Sequence, residues 1–246
     1  MRQVAVGQQI WNYEVVGLKG KLAPVLILHG WGRSGQEWMS VASEINEWTK
    51  RQVYVLDLPG FGGSSLPHVK SMEEYADLVS KFCEYLELKK VILVGHSLGG
   101  RVGIVLGAVS PTLVTKLVLV DPAGVKPKSI KRVVVRALAF VFGWLPRSWR
   151  RTLAAPMMDE DYRNSPTLQA LYRVVVAKDL RHYLSMIGCE TTLVWGERDP
   201  ILPLSLTKIY RELIPDCRVR VVWGAGHDPH LTKPDQTVAI LEEATE

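Results

Sequence analysis

The stretch "ILVGHSLGGRVG", residues 92–103, sets a run of apolar residues against a serine surrounded by glycines. The apolar run is typical of a buried strand, and a helix is predicted to begin at Leu98, which leaves almost no chain for the turn. Ser97 is therefore predicted to occupy a sharp, strained bend, and Gly95 and Gly99 are small so that strand and helix can approach each other. The bend places the serine hydroxyl beyond the carboxyl end of the sheet, where open α/β sheets bind ligands.

Eight runs rich in apolar and β-branched residues are predicted to be strands. The later runs are almost uninterrupted by polar residues, which is typical of parallel strands covered on both faces. Amphipathic segments between the runs predict helices, one of which opens with Ser71 and Glu74 in capping-box spacing. This alternation predicts an α/β domain. The strands are predicted at residues 3–6, 10–16, 24–30, 52–58, 90–95, 116–121, 191–196 and 217–224, and the helices at 71–88, 98–109, 204–213 and 235–245.

The alternation fails once, between Asp121 and Thr191. This segment of roughly seventy residues has helical patterns but no convincing strand, and an unstructured loop of that length is improbable in a compact domain. We therefore predict a helical insertion over residues 122–188, carried by a core domain formed from residues 1–121 and 189–246. The 246 residues of the chain suit one large domain with such an insertion.

The composition is that of an ordinary globular protein, with 47% hydrophobic and 22% charged residues. The first residues lack the apolar core and the cleavage site of a signal peptide, and no apolar run has the length of a membrane-spanning helix. The three cysteines are few and widely spaced, which argues against a disulfide framework or a zinc site. We therefore expect a cytoplasmic protein.

A serine hydroxyl is a poor nucleophile at neutral pH, so chemistry at Ser97 requires a base and a group that orients the base. Asp199 follows the predicted strand at 191–196, and His227 follows the last predicted strand. The chain order serine, aspartate, histidine is the order used by hydrolases whose nucleophile lies on a strand-to-helix turn.

On these residues the sequence resembles the α/β-hydrolase superfamily across nearly its whole length. The resemblance implies an eight-stranded, mostly parallel sheet flanked by helices, with the strand at 10–16 antiparallel and the insertion corresponding to a helical cap. It also implies that Ser97 is the nucleophile, Asp199 the acid and His227 the base. The matching segments are "HGWG" (29–32), "DLPGFGGS" (57–64), "GHSLGG" (95–100), "WGERDPILP" (195–203) and "GHDPHLTKPD" (226–235).

Two catalytic assignments have alternatives in the sequence. Asp121 ends the predicted strand at 116–121, a position that supplies the acid in some members of such folds. His230 lies three residues beyond His227 and is a second candidate for the base. The resemblance favours Asp199 and His227.

The resemblance also implies an oxyanion hole formed by two backbone N–H groups. One donor is expected from Leu98, the residue after the nucleophile, and the other from Trp31. Gly30 and Gly32 would let the Trp31 backbone come close to the reacting carbonyl. No metal or organic cofactor is required for this chemistry.

The charge of the chain is concentrated in the predicted insertion. Residues 126–151 carry eight Lys and Arg residues and no acidic residue, so the positive charge of this segment is larger than the net charge of +5 of the whole chain. The same segment has apolar residues at helical spacing. This apolar face could pack over the active site while the basic face is solvated, or the segment could lie on an anionic membrane surface. Nucleic acid binding is not expected, because no recognition motif accompanies the basic residues.

Apolar and aromatic residues of the insertion, with two residues of the loop at 29–32, are candidates for the substrate pocket. For His29 a structural hydrogen bond is favoured over catalysis. The candidates are His29, Trp31, Val134, Leu138, Phe142, Trp144, Trp149, Met157, Met158 and Tyr172.

We predict a serine hydrolase that cleaves small-molecule carboxylic esters with small to medium apolar groups through an acyl-enzyme intermediate. The substrate rests on analogy alone. Carbon–carbon bond hydrolases, lactonases and cofactor-free perhydrolases use the same triad, so these three activities are alternatives to the esterase prediction. A lipase and a non-catalytic ligand receptor on the same fold are further alternatives. Haloalkane dehalogenases and epoxide hydrolases are disfavoured, because they use an aspartate where this chain has Ser97. The oligomeric state is left open.

Overall fold

The sheet of this protein has eight strands and is mostly parallel, which confirms the predicted fold. A computed structural model describes residues 1–125, 165–176 and 178–246 of the chain. The spatial order is β1-β2-β4-β3-β5-β6-β7-β8, in which β2 pairs antiparallel with β1 and β4 and the other pairs are parallel. The strands are β1 (Arg2–Val6), β2 (Gln9–Val16), β3 (Val25–Leu28), β4 (Val53–Leu56), β5 (Val91–His96), β6 (Val114–Val120), β7 (Glu190–Gly196) and β8 (Cys217–Val222).

The helices of the described ranges follow the strands in the α/β alternation. The predicted capping box is present at the start of α2, where the Ser71 side chain accepts a hydrogen bond from the Glu74 N–H. The helix at Met39–Thr49 was not predicted from the sequence. The helices are α1 (Met39–Thr49), α2 (Met72–Tyr85), α3 (Leu98–Val109), α4 (Pro166–Val175), α5 (Arg181–Leu184), α6 (Thr207–Leu213), α7 (Pro229–Thr232) and α8 (Pro234–Thr245), with 3₁₀ turns at Gly35–Trp38 and Leu204–Leu206.

The sheet has a hydrophobic core on each face, which explains the uninterrupted apolar runs. Successive residues of a strand point to opposite faces. In β5, Leu93 therefore packs with the residues of α2 and α3, while Ile92 and Val94 pack with those of α1 and α8. Every residue of β3, β4 and β5 is buried.

The predicted insertion lies between β6 and β7, and only its last part belongs to the described residues. There α4 begins at Pro166 with the Ser165 side chain as its N-cap. The division into a core domain and a cap at 122–188 stays a prediction, since residues 126–164 and 177 lie outside the described residues. Among the helices of the described ranges, none has the length and the apolar character required to cross a bilayer.

Candidate active site

Ser97 occupies the strained turn that the sequence predicts between β5 and α3. Its backbone has φ 49° and ψ −102°, in the left-handed half of conformational space that residues with a Cβ rarely adopt. A Cβ at Gly95 would lie 2.4 Å from the Gly99 carbonyl oxygen, and a Cβ at Gly99 would lie 2.2 Å from the carbonyl oxygen of Leu28. The glycines are therefore required for the close packing of the helix against the strands.

The structure brings Ser97, His227 and Asp199 together in one hydrogen-bonded chain. The His227 Nε2 atom lies 3.1 Å from Ser97 Oγ, and Nδ1 lies 2.7 Å from Asp199 Oδ2. Because the carboxylate accepts from Nδ1–H, Nε2 is left as the acceptor for the serine hydroxyl. The imidazole is 11% exposed and the carboxylate is fully buried. Solvent therefore reaches the imidazole but not the carboxylate.

Asp199 is held as an ionised carboxylate by three donors. Oδ1 accepts the backbone N–H groups of Ile201 and Leu202 at 2.7 and 2.8 Å, and Oδ2 accepts from His227. Burial alone raises the pKa of this carboxyl, but the hydrogen bonds from His227 and the two N–H groups outweigh burial and lower the pKa. Asp199 is thus charged at neutral pH.

The two alternative residues lie close by but do not join this chain. Asp121 is fully buried, and its Oδ1 atom accepts the Gly196 N–H at 3.0 Å. The buried His230 ring stacks on Trp38, with ring centroids 4.1 Å apart and planes 12° apart. Neither side chain makes a hydrogen bond to His227 or Ser97 in the described residues, so the geometry favours Asp199 and His227.

The loop after β3 passes directly beside Ser97. A Cβ at Gly30 would lie 3.5 Å from Ser97 Cβ and 2.9 Å from His96 Nδ1, so only glycine fits there. Trp31 follows in this loop. Leu98 opens α3, so its N–H has no acceptor within the helix. This placement is compatible with the predicted oxyanion donors Trp31 and Leu98, whose role stays a prediction.

Two of the predicted pocket residues meet in an aromatic cluster. The Trp31 ring makes edge contacts with Tyr172 of α4, at a centroid distance of 5.2 Å, and with Phe61, at 4.8 Å. Phe61 was not predicted as a pocket residue, although its position beside glycines in the "DLPGFGGS" segment could have indicated it. The predictions for Val134, Leu138, Phe142, Trp144, Trp149, Met157 and Met158 lie outside the described residues.

His29 contacts backbone groups of two loops, and its predicted place in the substrate pocket stays a prediction. The ring is fully buried, its Nδ1 lies 2.7 Å from the Gly30 carbonyl oxygen, and its Nε2 accepts the Leu58 N–H at 2.9 Å. Burial lowers the pKa of His29 to about 4, so the ring is neutral. It links two loops through backbone groups, which is the structural role that the sequence favoured.

Two groups of side chains have the composition of a metal site. Asp121, Asp199 and His227 form one, and His96, Asp228 and His230 form the other, with their ligand atoms within 4.8 Å of one another. In the first, Asp199 and His227 take part in the hydrogen-bonded chain to Ser97, and Asp121 accepts the Gly196 N–H. In the second, Arg33 donates to Asp228 at 3.1 Å and neutralises it.

His96 contacts the backbone of the loop that carries His227. Its buried Nε2 atom lies 2.8 Å from the backbone oxygen of His227 and thereby fixes the loop that carries the imidazole. Burial lowers the pKa of His96 well below its usual value, so the ring is neutral and Nε2–H is the donor. This contact was not predicted from the sequence.

Comparisons with known proteins give matches among hydrolases. The sequence model of the "Alpha/beta hydrolase family" matches residues 25–240. The pimeloyl-[acyl-carrier protein] methyl ester esterase of Proteus mirabilis (strain HI4320) is 27% identical over 86% of this chain and 88% of its own. The monoacylglycerol lipase abhd6-A of Xenopus laevis is 23% identical over 96% of this chain and 79% of its own. The crystal structure of a bacterial membrane phospholipase A is 25% identical, with a TM-score of 0.75, over 98% of this chain and 84% of that one.

Proposed function

This chain belongs to the alpha/beta hydrolase family and is a hydrolase acting on esters, and from that premise we propose that it is a serine esterase for carboxylic esters of small to medium apolar substrates. The observation that carries the proposal is the hydrogen-bonded chain from Asp199 through His227 to Ser97, at the carboxyl ends of β5, β7 and β8. A serine so placed has both the base and the orienting acid that nucleophilic attack requires.

In the proposed mechanism, Ser97 Oγ attacks the ester carbonyl carbon while His227 Nε2 takes the hydroxyl proton across the 3.1 Å contact. Asp199 keeps Nδ1–H oriented and stabilises the imidazolium that forms. The imidazolium then protonates the leaving alcohol oxygen, the C–O bond breaks, and an acyl-enzyme results. Water, deprotonated by the same Nε2 atom, attacks the acyl carbon and releases the carboxylic acid and the serine.

The negative oxygen of the tetrahedral intermediate is assigned to the N–H groups of Leu98 and Trp31. Loss of one such donor commonly lowers kcat about 10²- to 10³-fold. The close approach of Gly30 to Ser97 supports the assignment of Trp31, because it brings the backbone of the next residue to the reacting centre.

The aromatic cluster of Trp31, Phe61 and Tyr172 supports an apolar group on the substrate. The relatives named above act on a methyl ester of an acyl chain and on monoacylglycerol, which also carry apolar chains. We further propose that the basic segment 126–151 contacts anionic membrane surfaces, with cytoplasmic location of the protein. The resemblance to a membrane phospholipase A supports such a contact.

The test is Ser97→Ala, assayed with p-nitrophenyl esters of increasing chain length beside a lactone and a β-diketone, the substrates of the alternative reactions. We expect ester turnover to fall at least roughly 10⁴-fold and fluorophosphonate labelling to disappear. Ser40→Ala, at an exposed serine of α1, is the matched control and should behave as the wild type. Near-normal turnover in Ser97→Ala would refute the proposal, and wild-type protein that resists labelling would indicate a ligand receptor instead.

A further inference from the structure

A second carboxyl group lies beside the acid of the proposed triad. Asp121 follows β6 directly, and it is fully buried. One oxygen of Asp121, one oxygen of Asp199 and one ring nitrogen of His227 all lie within 4.8 Å of one another. The backbone of Asp121 has φ 39°, a strained conformation for a residue with a side chain.

The two carboxyl groups differ in the number of donors that they accept. Asp199 accepts two backbone N–H groups and the His227 ring N–H. Asp121 accepts one N–H, from Gly196 to Oδ1, and its buried Oδ2 atom has no hydrogen-bond partner in the part of the chain that the structure describes. Three donors stabilise the negative charge of Asp199, whereas Asp121 has, within the described ranges, a single donor and one oxygen without a hydrogen-bond partner.

Two carboxyl groups this close in a buried site cannot both ionise at low cost, because each charge disfavours the other and burial disfavours both. The difference in donors decides which of them keeps the charge. We propose that Asp121 is a protonated carboxylic acid in the resting enzyme, with its proton on Oδ2, and that it positions Asp199 as a neutral neighbour.

The pKa shifts of the two groups have opposite directions, in agreement with the geometry. Burial, followed by the nearby Asp199 charge, raises the pKa of Asp121 to about 9 despite the hydrogen bond from Gly196. The pKa of Asp199 is lowered. At neutral pH the pair therefore holds one negative charge and one proton.

The positioning role rests on the proposed function. When Asp121 is neutral, Asp199 is the single negatively charged partner of the His227 ring. The Asp121 O–H can then donate to the Asp199 carboxylate. Asp121 keeps this proton throughout the catalytic cycle. A charged Asp121 would instead repel Asp199 from the ring. The titratable groups that act on the Asp121 carboxyl from the neighbouring elements are Asp199, after β7, and His227 and Asp228, after β8. His96 ends the neighbouring strand β5, and the Tyr210 hydroxyl of α6 donates to the oxygen of Pro122, the residue after Asp121.

The first test locates the proton without any substrate. The infrared spectrum of the wild type at pH 7 should contain a protonated carboxyl C=O band that disappears as pH rises through about 9, and Asp121→Asn should lack this band. The wild-type titration needs no variant, so it stands even if the variant folds poorly. Absence of such a band at pH 7, or a band that Asp121→Asn retains, would overturn the assignment.

The second test uses the pH dependence of stability. An unfolded aspartate is ionised above its ordinary value of 3.8, while folded Asp121 keeps its proton up to about 9, so the folded state holds one extra proton between these values. This group therefore makes the wild type less stable as pH rises from 4 to 9. The Tm of Asp121→Asn minus that of the wild type should increase over this range and level off above it. Asp216→Asn is the control, because it removes an exposed carboxyl. A difference in Tm between Asp121→Asn and the wild type that does not change with pH would contradict the proposal.

The third measurement tests positioning. Asp121→Asn keeps an oxygen for the Gly196 N–H and a donor for Asp199, so kcat should stay within about threefold of the wild type, whereas Asp121→Ala should lower kcat at least tenfold with little change in KM. The wild type should also lose kcat above pH 9, and Asp121→Asn should not. If neither variant changes kcat or its pH profile, the positioning role is refuted, while Ser97→Ala still tests the esterase proposal separately.

Discussion

Replacement of Gly99 by alanine tests whether the Ser97 turn depends on contact between backbones. The added Cβ would lie 2.2 Å from the Leu28 carbonyl oxygen, where ordinary contact begins at 3.4 Å, so helix and strand must separate by about 1.2 Å. Both atoms belong to rigid, buried elements, and overpacking of this kind costs about 1–3 kcal/mol or more. Ser97, the proposed nucleophile, is two residues away on the same turn. A displacement of about 1 Å in catalytic geometry can lower activity about 10²-fold.

The assay combines urea unfolding with kcat/KM for a p-nitrophenyl ester. Gly99→Ala should lower the free energy of unfolding by at least about 1 kcal/mol and kcat/KM by at least about 10²-fold. Gly188→Ala is the matched control, because a Cβ there meets nothing within 4 Å and the residue is exposed. Wild-type kcat/KM and stability in Gly99→Ala would show that the turn tolerates a wider separation and would refute this account of the glycine.

Further expectations concern the site and its surroundings. Asp199→Asn should lower kcat roughly 10⁴-fold with unchanged circular dichroism, because the imidazole loses its orienting charge; a smaller effect than tenfold would exclude Asp199 as the acid. His230→Gln should keep kcat within about tenfold, and a loss as large as that of Ser97→Ala would restore His230 as a candidate base. Arg101→Met should lower the urea midpoint and raise KM, since the guanidinium donates to the Val175 oxygen at 2.6 Å and holds the end of α4, and such charged hydrogen bonds contribute about 1.5–3 kcal/mol each. Vesicles with anionic lipids should sediment the protein at low salt and release it at high salt, and no sedimentation at low salt would exclude the membrane contact.

The strands could be predicted from the sequence because the sheet is covered on both faces. A strand such as β5 buries every side chain, so its apolar run is visible without knowledge of its neighbours. Helix α1 was missed for the opposite reason. Its buried residues Val41, Ala42 and Ile45 make a short apolar pattern, and its start at Trp38 carries no side-chain cap that marks a boundary.

The residues of the hydrogen-bonded chain could be predicted because each follows a strand of a parallel sheet, where the carboxyl ends meet at one edge. Contacts that depend on distances between loops could not. The bond from His96 to the His227 oxygen joins residues 131 positions apart, and the edge contact of Phe61 with Trp31 joins two separate loops. The state of Asp121 likewise depends on counting donors in three dimensions.

The strained turns at Ser97 and Asp121 stabilise each other's geometry. They end the neighbouring strands β5 and β6, and both have a positive φ without being glycine. The Ser97 N–H donates to the Val120 oxygen at 3.1 Å, and the Ala123 N–H donates to the Ser97 oxygen at 3.1 Å, so each turn is tied to the backbone of the other. Strain of about 1–3 kcal/mol at such residues persists only where the surroundings enforce it. These bonds fix the backbone on both sides of Asp121, and the Gly196 N–H holds its carboxyl oxygen at 3.0 Å. Because the carboxyl is held close to Asp199, protonation of Asp121 reduces the charge of the buried pair.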